Sequence, residues 1–455
     1  MDMSDVIAAI ATGRQPCAVG ILRLSGTGCA ELAGKVFTPK NGTSLQEIPP
    51  RKLVLGTLYD LKGRELDHCL AVRCAGPHSY TGEDTVELQC HGSPAVLSAG
   101  LEALCRAGAR IARPGEFTQR AFLNGQMDLT GAEAVIDLIE AQTADMAANA
   151  AAQVGGALNR RLSPIYEGLT DICSHYHAVL DYPDEDIPDF QLSDFEQQLR
   201  TDLDQLRWLR DTADRGRILK QGVKIALVGK PNAGKSSLLN ALVGYDRVIV
   251  TEIPGTTRDT VEELCRFGRV LARITDTAGI RDTADRVEAL GVERSLAAAE
   301  QADLAIFVCD SAQPLDEEDR QAMAAAREAK RAIAVMNKTD LPQRVFRVQL
   351  PFEPIFSVSA VRGDGLDKLC GWIEGTFGTD LPCDGSILTN TRQAEAVGRA
   401  ADAIERALSA MEAGITPDAV LTELEAALEA LGELTGRTVR EDITQKIFER
   451  FCVGK

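Results

Sequence analysis

The chain has 455 residues, enough for about three domains at the usual size of roughly 150 residues each. Hydrophobic residues make up 45% and charged residues 25%, which excludes a disordered chain, while the scattered glycines exclude a collagen-like repeat. Lys+Arg 49 against Asp+Glu 67 gives a net charge of −18, too acidic for a surface that coats nucleic acid as a whole and leaving room only for a local basic patch.

The start, Met1-Asp2-Met3-Ser4-Asp5, lacks the basic segment of a secretory signal. No apolar stretch approaches the roughly 18 residues of a membrane span, so the expectation is a cytoplasmic protein without membrane attachment. Residues 1–120 read as mixed α/β, with strand-like runs at Val19–Leu24 and Leu53–Leu58 between Gly, Pro and Asn clusters. Residues 121–218 read as helical: Ala132–Leu162 is Ala-rich, and Leu192, Phe195, Leu199, Leu203 and Leu206 fall on one helix face. Between them, Asp181–Asp189 carries two prolines and five acids and reads as a solvated loop.

Residues 219–378 alternate strand and helix, with strand-like runs at Val223–Val228, Leu271–Thr275, Leu304–Val308 and Ala332–Met336, the pattern of an open α/β sheet. Residues 379–455 are helical again. Thr416-Pro417 reads as an N-cap and first helical position, followed by a buried stripe of Val420, Leu421, Leu424, Leu428 and Leu431. Helical texture on both sides of the α/β segment predicts an inserted domain whose flanks make one helical domain. The 12 cysteines include no Cys-x-x-Cys pair, and the five histidines show no zinc spacing with them; they read as reduced, mostly buried thiols.

The strongest motif is Gly229-Lys230-Pro231-Asn232-Ala233-Gly234-Lys235-Ser236. It fits G-x-x-x-x-G-K-[ST] and sits between a strand and an apolar helix, as a phosphate loop requires. The glycines let backbone N–H groups face phosphate oxygens, and the helix N-terminus adds its positive end. Asn232, Ala233, Gly234, Lys235, Ser236 and Ser237 are the expected phosphate contacts, with Lys235 on the β/γ-phosphates and Ser236 on Mg²⁺. Asp276-Thr277-Ala278-Gly279 then ends a strand, with Asp276 reaching Mg²⁺ through water and the Gly279 N–H meeting the γ-phosphate. Asn337-Lys338-Thr339-Asp340 ends another, with Asp340 accepting from guanine N1–H and N2–H₂, a donor pair that adenine lacks. Ser359-Ala360 closes over the base. Between the first two lies Thr251-Glu252-Ile253-Pro254-Gly255-Thr256-Thr257-Arg258-Asp259, a polar turn whose Thr can complete the Mg²⁺ shell. Ile280 follows Gly279 where Ras-type GTPases carry a water-orienting Gln, so hydrolysis must use another arrangement.

The G-x-P-N-x-G-K-S loop, the Gly255-Thr256-Thr257-Arg258-Asp259 segment and the aliphatic residue after Asp-Thr-Ala-Gly resemble the potassium-dependent GTPases of the TrmE-Era group. The terminal Cys452-Val453-Gly454-Lys455 resembles the C-x-G-K signature of the MnmE (TrmE) family, tRNA wobble-uridine modification GTPases. Asp5–Thr12, Ser79–Asp84, Arg113–Thr118 and Arg120–Gly125 are similar to that family as well. The resemblance implies a multidomain fold: an α/β folate-binding and dimerising N-terminal domain, a split all-α helical domain and an inserted Ras-like α/β P-loop G domain.

It further implies K⁺ held by the Asn232 side chain, by backbone oxygens of Thr251 and Ile253 and by Thr256, taking the place of an arginine finger. Thr257 completes the Mg²⁺ shell, Glu288 orients the attacking water through a second water, and Arg258 and Arg281 tie the switch loops on G-domain dimerisation. Arg23 and Glu83 match folate-contacting positions, beside Lys455 and Gln126, the latter where the family often has Lys. The folate is a 5,10-methylene- or 5-formyl-tetrahydrofolate. Cys452 can be a buried thiol, a C-a-a-X box with an unusual terminal Lys, or, as the resemblance implies, a functional thiol near the folate. The implied partners are a second copy of the chain, tRNA, and the FAD-containing MnmG (GidA), the last forming a heterotetramer. The product is a carboxymethylaminomethyl or aminomethyl group at C5 of the wobble uridine, U34. The alternative is an Era-like ribosome-assembly switch, against which stands the acidic helical chain end with no G-x-x-G clamp.

Overall fold

The computed structural model describes residues 5–13, 15–181, 192–245, 262–276, 296–378, 380, 382–438, 447–448, 451 and 454. The acidic segment expected to be a loop therefore lies, from residue 182 on, outside the described residues. The chain divides into two compact units, one of Met1–Ile136, Ala151–Leu206 and Ala396–Lys455, the other of Asp137–Ala150 and Arg207–Glu395.

In the first unit, β1 (Ile7–Ile10), β2 (Cys17–Ser25), β3 (Phe37–Pro39), β4 (Val54–Tyr59), β5 (Glu65–Cys74), β6 (Thr85–Gly92) and β7 (Arg110–Ile111) form one seven-stranded sheet in the order β3-β4-β5-β6-β2-β1-β7. Its pairs are antiparallel except β1 with β7. Side chains alternate between faces, so Val54 and Leu58 are buried while Leu55 is exposed. Helices α1 (Cys29–Gly34) and α2 (Pro94–Ala107) cover the buried face, with Leu97 and Leu104 in one cluster with Leu22, Leu24 and Leu88. α3 (Glu116–Leu123) follows β7.

The Ala-rich stretch resolves into α4 (Leu129–Ile139), α5 (Ala144–Val154) and α6 (Ala157–Asp181). Gly155-Gly156 breaks it, Gly156 taking a φ of 78° that ends the helical path. α7 (Leu192–Asp211) buries Phe195, Leu199, Leu203 and Leu206 on the expected face, and α8 (Ala213–Gln221) leads into the second sheet.

That sheet comprises β8 (Val223–Val228), β9 (Glu262–Phe267), β10 (Val270–Asp276), β11 (Leu304–Asp310), β12 (Ala332–Asn337) and β13 (Ile355–Ser357), in the order β13-β12-β11-β8-β10-β9. All pairs are parallel except β9 with β10. β8 and β11 are near-continuous apolar runs because both faces are covered. α9 (Lys235–Tyr245), α10 (Glu317–Ala326) and α11 (Leu366–Phe377) belong to this unit. The chain winds outward from β8 in both directions, so the C-terminal end of β8 is a topological switch point, where such sheets bind ligands.

α12 (Thr391–Glu412) leads back to the first unit, and there α13 (Pro417–Thr435) packs on α6. The stripe differs slightly from the expected one: Ala427 is buried and Leu428 half-buried. Thr416 occupies the N-cap position but its hydroxyl caps no backbone N–H. Among the described residues no helix is long and apolar enough to cross a membrane.

Candidate functional site

The phosphate loop leaves β8 at Gly229, whose lack of a side chain is required: a Cβ there would lie 2.3 Å from the Val308 carbonyl oxygen. Asn232 adopts a left-handed φ of 63°, and its side chain is exposed, with no hydrogen bond among the described residues. Gly234 turns at φ 91°, where a Cβ would lie 2.3 Å from Asn337 Nδ2. Lys235 is buried and its Nζ donates to the carbonyls of Gly229 at 2.6 Å and Lys230 at 2.9 Å. Its ammonium is thus held inside the loop, against the groups that frame a phosphate. Ser236 and Ser237 follow Lys235 in the first turn of α9, at the positive end of its dipole. Asp276 ends β10 in register with Leu227 of β8, which brings its backbone beside the loop.

The base-recognition residues form a second bracket. Asn337 Nδ2 donates to Ala233 O at 3.1 Å, and its Oδ1 accepts from the N–H groups of Lys338 at 2.8 Å and Ala360 at 3.1 Å. One amide therefore ties the phosphate loop to both base-side motifs. Lys338 Nζ reaches Asn232 O at 2.9 Å and Asp310 Oδ2 at 2.7 Å. Ser359 Oγ donates to Asp340 Oδ1 at 2.7 Å, and this bond holds the Asp340 carboxyl below its usual range. The carboxylate is therefore ionised and oriented, ready to accept.

Sequence reasoning missed one support. Lys230 Nζ pairs with Asp316 at 2.8 Å and Asp319 at 2.7 Å, the two acids of the capping box that opens α10. The S/T/D-x-x-D/E spacing signals a cap, but nothing in it announces that a phosphate-loop lysine completes it.

In the first unit, Arg23 donates to Glu87 at 2.8 Å across the β2–β6 pair and lies over the rings of Tyr80 and Phe117. Glu83 accepts from Ser25 Oγ at 2.8 Å and from Arg120 at 3.0 Å. Gln126 lies beside Gly82, where a Cβ would be 3.2 Å from its Nε2. The buried Arg120 also binds Asp5 at 2.7 Å and Glu116 at 3.3 Å. Burial pushes the Glu116 carboxyl up, but hydrogen bonds from Arg110 and Arg113 outweigh it and hold the group at about 2. At the chain end, Phe451 packs with Phe448 and Leu129, and a Cβ on Gly454 would lie 2.3 Å from Ile10 O of β1. The close of the chain therefore reaches the N-terminal sheet. Thr251, Glu252, Ile253, Pro254, Gly255, Thr256, Thr257, Arg258, Thr277, Ala278, Gly279, Arg281, Glu288, Cys452 and Lys455 lie outside the described residues.

A phosphate loop at the switch point of a parallel sheet, bracketed by an Asn-Lys-x-Asp motif, defines a P-loop GTP hydrolase. The family described as "MnmE helical domain" matches residues 129–452, and that described as "GTP-binding protein TrmE N-terminus" matches residues 6–126. The chain is 42% identical over 454 residues to the tRNA modification GTPase MnmE of Aquifex aeolicus, covering 100% of both chains. It is 42% identical over 472 residues to that of Roseiflexus castenholzii, again covering 100% of both. The G domain of the T. maritima FeoB iron transporter is similar at 29% identity over 34% of this chain and 99% of that one, with a TM-score of 0.27. The chain belongs to the MnmE (TrmE) family of tRNA modification GTPases.

Proposed function

We propose that this GTPase is K⁺-dependent and, with the FAD-containing MnmG as partner, directs attachment of a carboxymethylaminomethyl or aminomethyl group to C5 of U34 in certain tRNAs. The observation that carries the K⁺ reading is Asn232: an exposed side chain without a hydrogen bond among the described residues, on a left-handed turn beside Lys235 and Ser236. A neutral amide oxygen there suits a weakly hydrated monovalent cation, with Thr251, Ile253 and Thr256 as the further ligands. Bound K⁺ supplies positive charge to the β–γ bridge, which an arginine finger supplies elsewhere. Ser236 and Thr257 are the Mg²⁺ ligands in this reading, and Glu288 positions water.

The one-carbon donor is a tetrahydrofolate derivative. Arg23 has the charge for its glutamate tail, and Glu83, Gln126, Lys455 and Cys452 complete that site. The approach of Gly454 to β1 supports this reading, since it brings the chain end toward the strand that pairs with Arg23. Homodimerisation is supported by apolar side chains at the N-terminal sheet that are about half exposed among the described residues: Val19 of β2, Leu55 of β4 and Leu53 just before β4. The full-length match sets aside the ribosome-assembly alternative.

The test is GTP hydrolysis in KCl against NaCl, with Asn232→Ala alongside. Strong K⁺ stimulation that the variant loses is expected. Equal rates in both salts would remove the cation mechanism and leave the tRNA role to a direct modification assay with MnmG.

A further inference from the structure

The N-terminal sheet gathers residues that no linear spacing connects. β5 pairs with β6 through Leu70 and Gln89, which sets Cys69 opposite Cys90. Their outer neighbours are Gly56 and Gly20, so the row reads Gly56, Cys69, Cys90, Gly20. Both glycines give way to bulk from above: a Cβ on Gly56 would meet Phe37 Cζ at 2.3 Å, and one on Gly20 would meet Leu97 Cδ1 at 2.5 Å. Phe37 and Leu97 therefore wall in the two thiols.

One pleat along the same face, Asp67 follows Cys69 and Gly92 follows Cys90. The carboxylate and the two sulfurs all lie within 4.8 Å of one another. The two cysteines are 3% and 2% exposed, and the Asp67 side chain 9%. Among the described residues no Arg or Lys pairs with Asp67. Its oxygens are oriented by His91, Oδ2 accepting the backbone N–H at 2.7 Å and Oδ1 lying 2.7 Å from the ring Nδ1. Gly92 pairs with the exposed Cys17, whose Sγ lies 2.4 Å from where a Gly92 Cβ would project. The missing side chain thus lets a third thiol lean over the next position in this face.

Two buried sulfurs and a carboxylate oriented by His91, converging with no Lys or Arg paired to it among the described residues, match the donor set of a thiophilic divalent ion that favours tetrahedral coordination. We propose that Asp67, Cys69 and Cys90 form a zinc-binding site in the N-terminal sheet, and that Cys17, whose Sγ now donates to Val19 O at 3.1 Å and stands outside that group of three, turns in to close the fourth position. A thiol binds such an ion as thiolate, so coordination displaces the thiol protons to solvent and affinity rises with pH. The bound ion staples β5 to β6, and through Cys17 to β2. His91 acts on it through Asp67, as outer-shell partners of metal ligands do.

The test uses the full-length protein, reduced and stripped with a chelator, titrated with Co²⁺ as a spectroscopic probe and with Zn²⁺. One Co²⁺ per chain is expected, with a thiolate-to-cobalt charge-transfer band that Zn²⁺ abolishes. Asp67→Asn, which keeps the side chain's shape, should weaken binding at least tenfold; Cys69→Ser and Cys90→Ser should remove the band. Cys17→Ser should keep one-to-one binding with a weaker band, and an unchanged band would overturn its place as fourth ligand. In wild type, Zn²⁺ should raise the melting temperature, a readout independent of whether the cysteine variants fold. No band and no thermal shift would overturn the site, as would a band that survives in Asp67→Asn and Cys69→Ser alike.

Discussion

Arg120 holds three carboxylates on one buried guanidinium: Asp5 at 2.7 Å, Glu83 at 3.0 Å and Glu116 at 3.3 Å. It stands 115 residues from Asp5 and 37 from Glu83, so its role was invisible in the Arg120–Gly125 motif that drew attention to the segment. Removing it would take the common partner from the buried Glu116 and from the partly buried Asp5 and Glu83. Arg120→Met should cost about 3–5 kcal/mol of stability, the usual penalty for breaking a buried ion pair. Arg120→Lys should recover only part of this, because an ammonium lacks the planar fork that reaches three acids. Denaturant unfolding of the two variants checks both expectations.

At the level of elements, the phosphate loop and α9 contain two glycines with opposite constraints. Gly229 is pressed against the Val308 carbonyl of β11, while a Cβ on Gly244 near the end of α9 meets nothing within 4 Å. The first contact is with backbone, so a side chain there must push the loop or the strand. Gly229→Ala should lower guanine-nucleotide affinity at least tenfold. Gly244→Ala should leave affinity unchanged and add about 0.5–1 kcal/mol of stability, because alanine is the better helix former. Fluorescent-nucleotide titration and thermal unfolding separate the two effects. The loop motif was legible because its glycines and lysine are adjacent in the chain. The lysine clamp from Lys230 to the α10 cap was not, since it joins residues 86 and 89 positions apart.

Across the whole molecule, two buried acids of the first unit pull its pH dependence in opposite directions. Glu116, held at about 2 by its arginines, contributes stability that is present above the ordinary carboxylate range and lost as pH falls toward 2. Asp202 on α7 is 1% exposed, and one of its oxygens has no partner. Burial pushes its carboxyl up to about 6, against a smaller opposing effect from Gln198. Its contribution is present at low pH and lost as pH rises from about 4 through 6. Each effect is worth roughly 3 kcal/mol at its limit. Asp202→Asn should therefore raise the unfolding midpoint at pH 7.5 and change it little at pH 3.5. Glu116→Gln should lower the midpoint at pH 7.5 and flatten the loss seen on acidification. Melting curves across this pH range test both signs.

Whatever depends on neighbours along the chain could be read without coordinates. The phosphate loop, the Asn337–Asp340 motif, the strands β8, β10, β11 and β12 of the second sheet and the helical periodicity of α7 and α13 are all local patterns. Their physics acts over one turn, one strand or one loop. The chain order of the guanine-nucleotide motifs carried the GTPase reading for the same reason. What needed the fold was every arrangement made by strand pairing or by helix packing. The amide of Asn337 bridging two motifs, the Arg120 cluster, the approach of Gly454 to β1 and the meeting of Asp67, Cys69 and Cys90 join residues far apart in sequence. A cysteine count that shows no metal spacing describes the chain as a line. An antiparallel sheet sets residue 69 opposite residue 90, and only the register of that sheet decides which thiols face each other.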